Sequence, residues 1–193
     1  MNYADEEFIK GRKDTKKEEY KTLDTGLFIK DRIVTFENKI FFDGNLQVML
    51  PADFVDMPPN MAKLKYPSEN RPAILKTSLD TSINFGFSRY QNALDNSQVE
   101  FVMNHFEMMS KKMNPANQFL GKGTKEVGAI SIAWTEYRAF AIDGQIYNLI
   151  YFFPLCGKMC QGLFNCFFQD MPDWQSAAHL VMQTVTDLTK KRC

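Results

Sequence analysis

From Phe28 onward, apolar positions recur with two different periods, and each change of period marks an element boundary. Lys39 to Leu50 reads as two strands about a two-residue Asp43-Gly44 turn, and Pro51 stops the second strand. Asp56 to Ala62 predicts a short helix or turn with Pro58 or Pro59 near its start. Tyr66 to Pro72 predicts a loop, because each proline biases its predecessor toward extended backbone. Ala73–Ser78 and Ser82–Ser88 predict a second hairpin. In its second strand Ile83, Phe85 and Phe87 share one face, while Asn84, Gly86 and Ser88 share the other. Ser97 to Met113 then switches to steps of three and four. Val99, Val102, Met103, Phe106, Met109 and Met113 form one apolar stripe, with Ser97 or Asn96 as N-cap and Asn114-Pro115 as terminator.

The segment from Val127 to Phe168 carries the most information. Turn signals at Asp143-Gly144 and Cys156-Gly157 divide it into three long antiparallel strands. With two-residue loops at both turns, Asn148 lies opposite Ala139 on one side and Asn165 on the other. Tyr147 lies between Phe140 and Cys166, and Ile150 between Tyr137 and Leu163. The middle strand is apolar on both faces: Ile146, Ile150 and Phe152 point one way, and Tyr147, Leu149, Tyr151 and Phe153 the other. Such a strand is covered on both sides. In the preceding strand Ala129, Ser131 and Ala133 form a small-residue face that lets a helix approach. Asp173 is positioned to cap a long final helix whose stripe runs through Trp174, Ala177, Ala178, Val181, Val185 and Leu188. No alternating strand–helix series appears, so a parallel nucleotide-binding sheet is not expected. The expected fold is α+β: a single antiparallel β-sheet with helices packed on both faces, a three-layer α/β/α sandwich.

This order of elements is joined by several local segments. They are Val48-Met-Leu-Pro51-Ala-Asp-Phe54, the Tyr66-Pro67 loop, Asp143-Gly-Gln-Ile-Tyr-Asn148, Gly162-Leu-Phe-Asn-Cys166 and the Trp174 helix. Together they resemble the PsbP-like fold family over roughly residues 33 to 188. That family includes an extrinsic photosystem subunit, a Ran-binding nuclear transport factor and many uncharacterised bacterial proteins, the last being the nearer analogy. The resemblance implies a role without catalysis, as adaptor, assembly factor or binding module. It carries over no partner-binding residue of the photosystem or Ran-binding members.

Composition narrows the picture. The 193 residues are 45% hydrophobic, which suits one domain with a sizeable core. Basic and acidic residues balance at 23 each, so no global cationic field exists to hold a nucleic acid. No apolar run reaches the ~20 residues of a membrane span. Six acidic and six basic residues crowd between Asp5 and Lys21, so residues 1–24 read as a charged, solvent-facing segment ahead of a single domain at 25–193. The first 22 residues hold no apolar leader, and Cys156, Cys160, Cys166 and Cys193 cluster too closely for a disulfide framework. A reducing, cytoplasmic setting is expected.

No reaction constellation emerges. Cys160 and Cys166 stand six residues apart on one strand, too far to share a zinc ion, so buried thiols are expected. His105 and His179 fall on separate helices. Gly121-Lys-Gly-Thr124 lacks the phosphate-loop order and reads as a flexible turn. Asp53 and Asp56 suit turn and capping roles. Trp134, Tyr137, Tyr147, Tyr151 and Trp174 suit core packing. No catalytic residue, metal site or cofactor is expected. The leading expectation is a non-catalytic interaction or accessory module that binds another protein, with neither nucleic acid nor membrane as partner. Asn148 and Asn165 stand out, because an amide inside an apolar strand costs free energy unless hydrogen-bonded. They are expected to bond each other across the ladder. The rival reading makes Tyr137, Asn148 and Asn165 the polar contacts of a small-ligand pocket, in a binding protein or weak hydrolase.

Overall fold

The computed structural model describes residues 19–69, 71–141 and 144–189. Among the described residues, thirteen strands and three full α-helices follow in order. They are β1 Lys21–Thr22, β2 Gly26–Ile29, β3 Arg32–Val34, β4 Phe36–Phe41, β5 Leu46–Pro51, β6 Val55–Asp56, α1 Pro59–Lys65, β7 Ile74–Thr77 and β8 Asn84–Ala93. Then come α2 Val99–Met113, β9 Gln118–Val127, β10 Ile130–Ala141, β11 Gly144–Leu155, β12 Lys158–Phe167, α3 Met171–Met182 and β13 Thr186–Asp187. The fold is α+β. The expected single sheet is replaced by three: a seven-stranded sheet in the order β6-β7-β8-β12-β11-β10-β9, and two three-stranded sheets, β1-β2-β3 and β13-β5-β4. The first hairpin stands apart because both edges of β5 are taken, by β4 and by β13.

Strand β11 lies inside the large sheet between β12 and β10, and its alternate residues feed different cores. Leu149, Tyr151 and Phe153 pack in one cluster with Trp174, Ala177 and Val181 of α3 and with Leu46, Val48 and Leu50 of β5. Ile150 and Phe152 join a second cluster with Val99 and Met103 of α2 and with Ala133, the small-residue position of β10. Gly162 faces Tyr151 so closely that a Cβ there would lie 2.0 Å from the phenol ring, which ties these strands to one packing.

The β11–β12 register is the expected one: Tyr147↔Cys166, Asn148↔Asn165 and Ile150↔Leu163 are direct pairs. Cys156 and Gly157 take φ of 53° and 71°, the backbone of a primed two-residue turn. The β10–β11 register departs by two residues, because the ladder closes at Ala141↔Gly144 and not one step later. Asn148 therefore faces Tyr137, Tyr147 faces Arg138, and Ile150 faces Thr135. A shift of two preserves every side chain's face and changes only its neighbours.

Other departures have local causes. Gly121-Lys-Gly-Thr124 belongs to the ten-residue edge strand β9. The glycines are there because a Cβ at Gly123 would sit 2.9 Å from the Trp134 ring, and one at Gly121 3.0 Å from the Glu136 carboxylate. Asp95, not Asn96 or Ser97, caps the turn into α2, accepting from Ser97 N while Gln98 reaches back to the Asp95 amide. Asn96 is occupied elsewhere, bonding Ala129 O and Ser131 N. Helix α3 ends at Met182, and β13 then pairs Thr186 and Asp187 with β5, so Val185 and Leu188 lie beyond the helix. Asp173 stands in the first turn of α3 without capping it.

Candidate functional site

One row of polar residues crosses the large sheet. Reading outward from β10, the directly opposed positions are Tyr137, Asn148, Asn165, Asn84 and Thr77, on β10, β11, β12, β8 and β7. Because neighbours in a ladder share a face, all five side chains project to the side on which α2 packs. Burying such a row demands partners.

Half of it has them. Thr77 Oγ1 donates to Asn84 Oδ1 at 2.7 Å, Asn84 Nδ2 to Asn165 Oδ1 at 2.8 Å, and Asn165 Nδ2 to the Tyr66 hydroxyl at 2.8 Å. Every bond runs in the same sense, so each polarises the next. The expected Asn148–Asn165 bond is absent although the two residues are directly paired. Asn165 spends both ends of its amide on Asn84 and Tyr66, on the other side.

The other half is open. Asn148 is 8% exposed, and its only side-chain bond among the described residues is from Nδ2 to its own strand at Ile146 O, 3.3 Å. The Tyr137 ring packs tilted against Phe119 with centroids 5.2 Å apart, and its hydroxyl has no partner among the described residues. Both line a pocket of about 410 Å³ together with Asn165, Tyr66 and Gln161, walled by Phe106, Ile146, Ile150 and Leu163. The three candidate residues thus share one site. A more apolar hollow of about 710 Å³ adjoins it through Lys65, Tyr66, Ile146 and Asn165, with Met61 and Leu64 of α1 on its far wall. Burial pushes the Tyr137 hydroxyl up to about 12. It does the same to Tyr66, where the bond from Asn165 offsets only part of the rise. Both phenols stay neutral at ordinary pH.

The opposite face of the same strands holds a group that periodicity did not reveal. Glu136 is 7% exposed, and its carboxylate accepts from the Tyr147 hydroxyl, from Gln175 Nε2 at 3.0 Å, and faces His179 Nε2 at 3.3 Å. Burial alone would raise the Glu136 carboxyl. The bonds from His179, Tyr147 and Gln175 outweigh it and hold the group down at about 2. His179 is also fixed edge-on to Trp134 at 4.7 Å. The available signals were the one acid within Ile130–Ala141 and the i, i+4 spacing of Gln175 and His179. Tyr66 and Asn84 were missed as site residues because their roles depend on β8 lying beside β12.

Other candidates resolve simply. Asp53 pairs with Arg32 at 2.7 Å, and Asp56 with Lys76 at 2.8 Å. Cys160 and Cys166 are buried, and burial pushes both thiols up, Cys166 to about 12. Cys156 is exposed in its turn, and Cys193 lies outside the described residues. Among the described residues no three His, Cys, Asp or Glu side chains gather as a metal site would need. No described helix is long and apolar enough to cross a membrane.

No family model matches the sequence, and no curated protein matches it. Solved structures do. The solution structure of cyanobacterial PsbP (CyanoP) from Synechocystis superposes with a TM-score of 0.58 at 10% identity, covering 81% of this chain and 94% of that one. The chain has the PsbP fold. The Mycobacterium tuberculosis protein LpqN, described as involved in cell envelope biogenesis, superposes with a TM-score of 0.53 at 13% identity over 86% of this chain and 97% of its own. At these identities the PsbP fold is shared while the side chains of the pocket are this chain's own.

Proposed function

We propose that this PsbP-fold chain is a non-catalytic accessory module that binds another protein, part of which enters the pocket over Tyr137 and Asn148. One observation carries the reading: buried Asn148 and half-buried Tyr137, adjacent across the ladder, face that pocket with hydrogen-bonding capacity unused, while its lining holds no carboxylate, histidine, serine or cysteine. Such a lining can recognise, but it has no carboxylate or imidazole to activate the Lys65 amine or a tyrosine. The proposal includes a cytoplasmic setting, supported by the thiols of Cys156, Cys160 and Cys166, which form no disulfide among the described residues. It also takes the two core clusters fed by β11 as the layers of an α/β/α sandwich.

The test uses the full chain with a photo-crosslinking residue at Ala139, on the pocket wall, or at exposed Glu37 of β4 as control. An adduct from native extract that forms at 139, not at 37, and that is reproduced with the purified partner is the expected result. Equal labelling at both positions overturns the reading. A second reading, a small-ligand binder, is favoured by the pocket's volume, which falls within the range of small-molecule sites. It predicts a ligand-dependent rise in Tm that Asn148→Ala removes.

A further inference from the structure

The pocket's unused hydrogen-bonding capacity includes both donors and an acceptor. Tyr66 accepts a hydrogen bond from Asn165, which leaves the Tyr66 O–H to donate. Asn148 has given one Nδ2–H to Ile146 O, which leaves its second N–H to donate and Oδ1 to accept. The Tyr137 hydroxyl is uncommitted, and it stands directly across the ladder from Asn148, at the ~4.5–5.5 Å spacing of Cβ atoms in opposed pairs.

Resting on the pocket reading above, we infer that the chemical group recognised there is a neutral amide, the peptide unit of an extended partner segment. A trans peptide presents its oxygen on one flank and its N–H on the other. Lying between the two side chains, it accepts from Tyr137 and donates to Asn148 Oδ1, while Tyr66 serves the next carbonyl. An ammonium ion brings donors alone and meets no carboxylate in the lining. A carboxylate brings acceptors alone: it leaves Asn148 Oδ1 without a donor, and the Lys65 ammonium on the lining already donates to Thr81 O. The apolar side chain of the segment has Ile146, Ile150 and Leu163 to rest on, and the adjoining hollow beside α1 takes the residue that follows.

Amide NMR spectra of the full chain test this with three probes: N-methyl-4-methylpentanamide, its ester analogue methyl 4-methylpentanoate, and methyl glucoside. The amide is expected to shift pocket signals and to bind about fivefold or more tightly than the ester, which lacks the N–H for Asn148. Asn148→Leu should bring amide and ester level, and Tyr137→Phe should weaken both. Equal binding of ester and amide by the unaltered chain overturns the inference, as do an amide preference that survives Asn148→Leu and pocket shifts caused by the glucoside alone. Failure here with crosslinking at Ala139 intact rejects the amide and keeps the protein-binding module. An amide preference without any crosslinked protein does the reverse.

Discussion

Glu136 and Tyr137 are neighbours on one strand, and Tyr147 and Asn148 are neighbours on the next, yet the two pairs do opposite things. Glu136 and Tyr147 point toward α3 into a closed set, where the carboxylate meets a phenol, an amide and an imidazole. Tyr137 and Asn148 point the other way, and the protein leaves part of their bonding capacity unused. Buried polarity stabilises when the fold supplies every partner, and it recognises when the fold withholds one. Adjacent residues can do both because alternate side chains of a strand occupy separate environments.

The largest effect separating the two faces should come from Glu136→Ala. It leaves the Tyr147 hydroxyl and Gln175 without their acceptor and should cost on the order of 3 kcal/mol in urea unfolding, with pocket binding retained. The same carboxylate gives a pH signature. Its folded-state value is depressed from 4.5 to about 2, so its contribution is fully present above pH 4.5 and is lost as pH falls through 4.5 toward 2. Glu136→Gln should flatten that limb of the stability curve; an unchanged limb would remove the cluster from the account of acid sensitivity.

Asn165→Ala comes next, at about 1–3 kcal/mol, because it strands Asn84 and Tyr66. Double-mutant cycles should show coupling of about 0.5 kcal/mol or more between Asn84 and Asn165 and none between Asn148 and Asn165. The reverse pattern would redraw the row.

Tyr151 sharpens the contrast further. Its hydroxyl is buried in the α3-side core with no hydrogen-bond partner among the described residues. Tyr151→Phe should therefore raise stability, by about 1 kcal/mol, and leave binding untouched. Tyr137→Phe should give the smallest stability change, within about 0.5 kcal/mol, while weakening binding. If the two substitutions behave alike, the pocket confers nothing on Tyr137.

Much of this was legible in the chain wherever a turn admits one geometry. Cys156-Gly157 fixed the β11–β12 partners residue by residue. Around Asp143-Gly144 the ladder closes one step earlier than the dipeptide suggests, and Asn148 gained Tyr137 as neighbour in place of Ala139. Strand β9 was hidden because glycines that clear Trp134 look like turn glycines when no partner strand is known. Strand β13 was hidden because Val185 prolongs the spacing of α3 although the backbone has turned. The amides of Asn148 and Asn165 betrayed a site by sitting among apolar residues. Their bonding could not be read, since Asn84 lies 81 residues from Asn165 in sequence and reaches it only through strand order.

The alternation that sets Glu136 and Tyr137 back to back also constrains how this protein can change length. One residue gained or lost within β10 would reverse both environments downstream of it, driving an acid toward the pocket over Asn148 and a phenol toward the carboxylate's partners. Changes by two would exchange neighbours and spare the faces. Relatives that keep both systems should therefore vary in the loops between these strands, or by even steps within them.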